Sequence, residues 1–320
     1  MYYVGIDSGG TKTAFTVIDK IGNVKLEFQR GTGHYMQIGF DGFKILYAEA
    51  LDYIYKELNI DNESIAHIFM GIPGYGEVKS DEEILKKNLS DIFSGLKYTI
   101  GNDVESGWAG SLACQPGINI VCGTGSIAIG VNEQNQIIRS GGWGEFVGDE
   151  ASAYWIAKKA IEIFSKQSDL RLERTIFYNI FKEDLNLSYD FELIDLLQNK
   201  YKLSRSRVAE ISKTVSKIAS LGDEYAIGIF KGAAHEIYLM INSIIKQLKF
   251  KDNIKISYNG GVFKSNDLIL IPLKAELKKN KITIEIIKPI LSPTLGSALF
   301  AYKLDGNKIT KEIIEKLKKN

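Results

Sequence analysis

Two short stretches, "GIDSGGTKT" from residue 5 and "VCGTGS" from residue 121, each run a strand into a turn of glycines that carries Thr or Ser. Gly9, Gly10, Thr11 and Lys12 in the first, and Gly123, Thr124, Gly125 and Ser126 in the second, let the backbone approach an anion closely and aim N–H groups at it. The hydroxyls add further donors. This is phosphate-binding chemistry, and Asp7 at the head of the first turn suits a Mg²⁺ ion that bridges phosphates, held through water. A glycine turn by itself closes a hairpin and no more. Here the turn recurs, each time followed by a strand, a polar turn and a third strand, and such self-similarity predicts two related halves. No G-x-x-x-x-G-K-[ST] loop occurs, and no G-x-G-x-x-G opens a helix, which disfavours the P-loop and Rossmann routes to a nucleotide.

Three other stretches carry chemistry. Asp103 ends the strand-like "KYTIG" and precedes the helical "VESGWAGSLAC", so it is either a helix N-cap or a base projecting from a strand end. Residues 141–155, "GGWGEFVGDEASAYW", gather glycines, an amphipathic ring and two adjacent carboxylates. Gly142 and Gly144 permit a tight turn around a ligand, Trp143 offers its ring, and Asp149 can accept paired hydrogen bonds from ligand hydroxyls. The competing role for Asp149 or Ser152 is to cap the helix that follows. In "NGGVFKSNDL", Gly260 and Gly261 present a surface flat enough for a purine, with Lys264 just beyond.

These residues need a scaffold of matching size. At 320 residues the chain exceeds what one hydrophobic core usually supports, so two domains are expected. The elements alternate: strands "YYVGID", "TAFTVID" and "VKLEFQR", then a helix over "DGFKILYAEALDYIYKEL" with Ile45, Ala48, Leu51, Ile54, Tyr55 and Leu58 on its apolar face. "IAHIFMG", a helix from Asp81 and "KYTIGND" continue the α/β alternation. The second half opens with "INIVCG", "SIAIGVN" and "QIIRSGG", enters a long helical tract from Asp149 to about Phe250, and closes as βαβα. The predicted fold class is therefore α/β. Chain crossings at "VESGWAGSLAC" and "LSPTLGSALFAYK" set the expected domains at residues 1–112 with 296–320, and at 113–295 with a helical insertion.

The motif order resembles that of the actin, hexokinase and Hsp70 type of ATPase. "GIDSGGTKT" and "VCGTGS" resemble its phosphate motifs, "GNDVESGWAG" and "PTLGSALFA" its connecting segments, and "SYNGGVFKS" its adenosine motif. "GGWGEFVGDEASAYWIAKKAI" is similar to the N-acetylglucosamine kinases of the BadF/BadG/BcrA/BcrD ATPase group. The resemblance implies two ribonuclease H-like domains with a nucleotide cleft between them, ATP and Mg²⁺ as cofactors, and phosphoryl transfer to the 6-hydroxyl of an amino sugar. It makes Asp103 the catalytic base, Asp7 the metal residue, and Ser126, Gly142, Trp143, Gly144 and Asp149 sugar-binding. It also implies a homodimer.

In these kinases the loop after the third strand usually supplies an Asn to the sugar, whereas this chain reads "GTGHYMQIG" and offers His34 instead. Small residues Gly31, Thr32 and Gly33 predict room for a bulkier C3 substituent, as in N-acetylmuramic acid. Two alternatives remain: an ATPase activator of a radical 2-hydroxyacyl-CoA dehydratase, for which Cys114 and Cys122 would have to bind an iron–sulfur cluster, and a sugar-sensing protein without catalysis. Forty basic residues against 39 acidic ones leave a net charge of +1, so bulk electrostatics favours neither nucleic acid nor an anionic membrane. No apolar run reaches the ~18 residues of a membrane span and no basic leader precedes "YYVGID", so a cytoplasmic protein is expected.

Overall fold

The computed structural model describes residues 1–251 and 253–319. The chain divides into two compact units, residues 1–119 together with 288 onward, and residues 120–287.

The first unit opens with β1 (Tyr2–Ser8), β2 (Thr13–Asp19) and β3 (Val24–Arg30), followed by α1 (Tyr35–Leu58), β4 (Ile65–Ile72), α2 (Lys79–Ile92), β5 (Tyr98–Asn102) and α3 (Asp103–Leu112). Its sheet has the order β3-β2-β1-β4-β5. The first three strands pair antiparallel, and β1, β4 and β5 run parallel. β4 is buried along its whole length, the near-continuous apolar run expected of a parallel strand covered on both faces. The register Ser8↔Thr13 makes the first glycine turn the tip of the β1–β2 hairpin. α1 begins earlier than its periodicity predicts, because the helix is interrupted at Gly39, whose φ of 72° no helix contains. Its buried row is Phe43, Tyr47, Leu51 and Ile54, while Ile45 is exposed; the predicted stripe was rotated toward solvent at its N-terminal end.

The second unit repeats the plan. β6 (Gly117–Cys122), whose first residues precede the division, is followed by β7 (Ser126–Val131) and β8 (Ile137–Gly141). The helical tract then resolves into α4 (Ala153–Ser168), α5 (Ile176–Asp184), α6 (Glu192–Asp195), α7 (Arg205–Ala209), α8 (Ile211–Ser220) and α9 (Glu224–Leu248). It starts at Ala153 rather than Asp149, since Ser152 accepts the Trp155 N–H as N-cap and Asp149 has a left-handed φ of 56°. β9 (Ile254–Asn259), a 3₁₀ turn (Gly261–Ser265), α10 (Asp267–Lys279) and β10 (Ile284–Ile287) complete it. The strand order β10-β9-β6-β7-β8 is the first sheet's order read from its other edge, so the sequence repeat is a repeat of fold.

The chain finally returns to the first unit as α11 (Pro293–Leu304) and α12 (Lys311–Leu317). Glycine lets α11 lie against its neighbours: a Cβ on Gly5 of β1 would coincide with the Ala298 backbone, and one on Gly296 would coincide with the backbone of Gly110 in α3. The apolar core of this unit lies between α1, α2 and the sheet, with Val4, Ile6, Ile68, Met70, Leu85 and Leu89 at its centre.

Candidate active site

The first unit brings two acids together at the C-terminal ends of β1 and β5, the parallel strands on either side of β4. Asp103 does not cap α3. That role belongs to Asn102, whose side chain accepts the Val104 N–H at 3.2 Å while Glu105 reaches back to the Asn102 N–H at 2.9 Å. A capping box of this kind satisfies the helix start and leaves the Asp103 carboxylate for other work. Burial, with a contribution from the charge of Glu77, pushes Asp103 up to about 6 against the opposing N–H of Val104. Asp7 at the end of β1 is pushed up to about 7, first by burial and then by the charge of Asp103. A hydrogen bond from Ser106 and the charge of Lys12 pull Asp7 the other way. Ser297 of α11 donates to the Ser106 hydroxyl at 2.8 Å, so Ser106 has its own proton to give to Asp7.

Two half-buried carboxylates, both raised by burial and one of them also by its neighbour's charge, form a seat that a divalent cation would relieve. Among the described residues no group of three or more His, Cys, Asp or Glu gathers to hold an ion. A pair of carboxylates is the donor set that suits Mg²⁺, which keeps several waters and takes phosphate oxygens with one or two carboxylates.

The first glycine turn closes through Gly9 N–H donating to the Lys12 carbonyl at 2.8 Å, and it leaves Gly10, Thr11 and Lys12 exposed. The loop after β3 packs against it: Thr32 donates to the Gly9 carbonyl at 2.9 Å and accepts the His34 N–H at 3.1 Å. A Cβ on Gly33 would stand 2.7 Å from the Thr13 hydroxyl and 2.9 Å from that of Ser8. The predicted room in this loop is thus confined to Gly31, around which nothing lies within 4 Å of an added Cβ. Gly33 and Thr32 are small because they pack. His34 precedes α1 with its Nδ1 buried and without a partner, and burial lowers its pKa.

In the second unit the other glycine turn borders a cavity of about 480 Å³. Gly123 donates to the Gly125 carbonyl at 2.9 Å, and its own carbonyl accepts the Ala153 N–H at 2.8 Å, tying the turn to the start of α4. Gly123, Thr124, Gly261 and Lys264 line the cavity. Gly260 serves by close approach, since at φ 107° a Cβ there would coincide with the Cys122 carbonyl. α7 and α8 supply the opposite lining, through Ala209, Glu210, Lys213 and Ser216. Sequence reading missed these four because nothing in "RVAEISKTVS" distinguishes them from an ordinary amphipathic helix.

Two of the predicted sugar-binding residues, Ser126 at the start of β7 and Asp149 in the 141–149 loop, are engaged within the protein. Ser126 was expected to meet substrate, but it is buried and its hydroxyl donates to the Glu150 carbonyl at 2.5 Å. Asp149 is only 3% exposed; it accepts the Ser126 N–H at 3.5 Å and is ion-paired with Arg205, so a guanidinium covers the carboxylate that was expected to face a ligand. Gly142 (φ 73°) donates to the Ser126 carbonyl at 3.0 Å, while Trp143 and Gly144 lie on the outer part of the loop with the indole largely exposed. Cys114 and Cys122 are both buried thiols whose pKa burial pushes up, which leaves neither exposed as a cluster ligand.

Comparison with known proteins agrees with this architecture. The model of the BadF/BadG/BcrA/BcrD ATPase family matches residues 4–301. An N-acetyl-D-glucosamine kinase of Dictyostelium discoideum is 29% identical over 313 residues, spanning 93% of this chain and 97% of the relative. An N-acetylmuramic acid/N-acetylglucosamine kinase of Clostridium acetobutylicum is 27% identical over 301 residues, spanning 94% and 98%. The solved structure of a Chromobacterium violaceum protein, provisionally designated an N-acetylglucosamine kinase, superimposes with a TM-score of 0.69 at 19% identity, covering 94% of this chain and 98% of that one. The fold is accordingly α/β, with two ribonuclease H-like units of the actin and hexokinase type.

Proposed function

Because the chain belongs to the BadF/BadG/BcrA/BcrD ATPase family, we propose that it is an ATP-dependent amino-sugar kinase, transferring the γ-phosphoryl group to the 6-hydroxyl of N-acetylglucosamine, with N-acetylmuramic acid as a second substrate. The observation that carries this reading is Asp103: a strand-end carboxylate relieved of capping by Asn102, half-buried beside Asp7, and pushed up to about 6.

In this reading Asp103 accepts the proton of the sugar hydroxyl as its oxygen bonds to the γ-phosphorus, the bond from that phosphorus to the β–γ bridging oxygen breaks, and ADP departs. A base whose pKa lies just below neutrality is ionised at pH 7 yet still basic enough to take the proton. Asp7 is the residue that would hold Mg²⁺, with Asp103 beside it; the ion supplies neutralisation of phosphate charge when bound. Ser106, itself held by Ser297, fixes the direction of the Asp7 carboxylate. The turn residues Gly9, Gly10, Thr11 and Lys12 take phosphate oxygens. Gly123, Thr124 and Gly125 do the same from the second unit, where the cavity with Gly260, Gly261 and Lys264 seats the adenosine. In the second unit the backbone of Gly142 and Gly144, Trp143 and the Asp149–Arg205 pair bind the sugar, and in the first unit His34 does; in this reading the protein is a cytoplasmic homodimer.

An ATP-coupled turnover panel of hexoses, N-acetylhexosamines and N-acetylmuramic acid tests this function, with phosphorus NMR to place the product phosphate. Turnover confined to sugars without an N-acetyl group would overturn it. The dehydratase-activator alternative is opposed by the burial of both thiols.

A further inference from the structure

Arg205 opens α7, and its guanidinium touches both ends of the sugar-seat loop: one Nη donates to Asp149, and the other lies 3.3 Å from Glu145. Its Nε is buried without a partner. The contact also reaches the second glycine turn, since a Cβ on Gly125 would coincide with the guanidinium and stand 2.9 Å from the Asp149 carboxylate. The arginine therefore sits where sugar loop and phosphate turn meet.

The two carboxylates around it are unequal. Asp149 is fixed by burial, by the Ser126 N–H and by its left-handed backbone. The Glu145 side chain is 39% exposed and follows Gly144, which has open space around it, and among the described residues its one polar contact is Arg205. An exposed pair of this sort contributes little and exchanges readily. The Arg205 side chain, 36% exposed against 4% for that of Asp149, carries the charge that the buried pair presents outward.

Resting on the amino-sugar kinase reading, we propose that Arg205 is the specificity-determining residue of the sugar seat. Its ligand is the carboxylate of an N-acyl amino sugar carrying an acidic substituent, the class of N-acetylmuramic acid, and this carboxylate takes the place of Glu145. A neutral sugar leaves Glu145 on the guanidinium. An acidic one substitutes carboxylate for carboxylate, so no charge is stranded, and the planar fork of arginine suits that exchange better than an ammonium would.

The test measures kcat/KM for N-acetylmuramic acid relative to N-acetylglucosamine in the wild type, Glu145→Gln and Arg205→Lys. Removal of the competing anion in Glu145→Gln should raise the ratio about three- to tenfold, and Arg205→Lys should lower it about tenfold. Arg205→Lys keeps a cation beside buried Asp149; should it fail to fold, the surface change Glu145→Gln carries the test alone. An unchanged ratio in Glu145→Gln overturns the proposal. So does wild-type turnover of N-acetylglucosamine with no calorimetric binding of N-acetylmuramic acid, a result that leaves the kinase reading standing. If neither sugar is phosphorylated the kinase reading falls, and calorimetric affinities decide this one: tighter N-acetylmuramic acid binding in Glu145→Gln supports it, and equal affinity refutes it.

Discussion

Replacing Asp103 by Asn should separate activity from stability in opposite directions. The carboxyl rises from 3.8 to about 6 on folding, about 2 pK units, because burial disfavours its charged form. At 1.36 kcal/mol per unit the ceiling on that penalty is about 3 kcal/mol, and water around a half-buried side chain reduces it to roughly 1–2 kcal/mol. The sign follows from linkage: below about pH 4 the carboxyl is protonated folded and unfolded, so no penalty exists; it grows between about pH 4 and 6 and is complete above that. Asn keeps an oxygen for the Val104 N–H and carries no charge. Its Tm should therefore match the wild type near pH 4 and exceed it at pH 8 by about 2–8 °C, at about 2–4 °C per kcal/mol. Turnover should fall about 10²- to 10⁴-fold, the usual contribution of a positioned base. Thermal melts across this pH range and a coupled ADP-release assay read both quantities on one preparation. A variant that loses activity and is also less stable at pH 8 would refute the burial argument, and one with wild-type turnover would refute the base.

Three further outcomes are expected. Wild-type kcat/KM for the sugar should decline below about pH 6, approaching tenfold per unit, as Asp103 takes up its proton, and a profile flat to pH 5 would speak against it. Ser216→Trp should fill the cavity beside the second glycine turn and raise KM for ATP at least tenfold while leaving KM for the sugar within about twofold, as initial-rate kinetics would show. Gly296→Ala places a methyl group on the Gly110 backbone and should destabilise the first unit by 3 kcal/mol or more, at the upper end of overpacking costs, in urea unfolding.

What could be read in advance depends on local chain geometry. The glycine turns and the strand-end position of Asp103 each follow from a few adjacent residues, and the repeat of strand, turn and strand announced the repeated sheet. Ile45 shows where periodicity stops: a hydrophobic face can be read to within a turn, but Gly39 displaced the helix start and the stripe with it. Which residue of "GND" caps α3 was likewise undecidable from the sequence, since Asn102 and Asp103 are both good caps; the capping box with Glu105 gives the role to Asn102.

The α/β class, the paired glycine turns and the family could be read from the chain alone, because those are written in contiguous motifs whose order survives without any knowledge of contacts. Only the tertiary structure decided that Arg205 covers Asp149, that Ser126 spends its hydroxyl on a backbone carbonyl, and that Ser297 steadies Ser106 beside Asp7. Each of those outcomes joins residues from 24 to 191 positions apart, and a buried polar group takes whichever partner packing brings within reach, which no local pattern encodes.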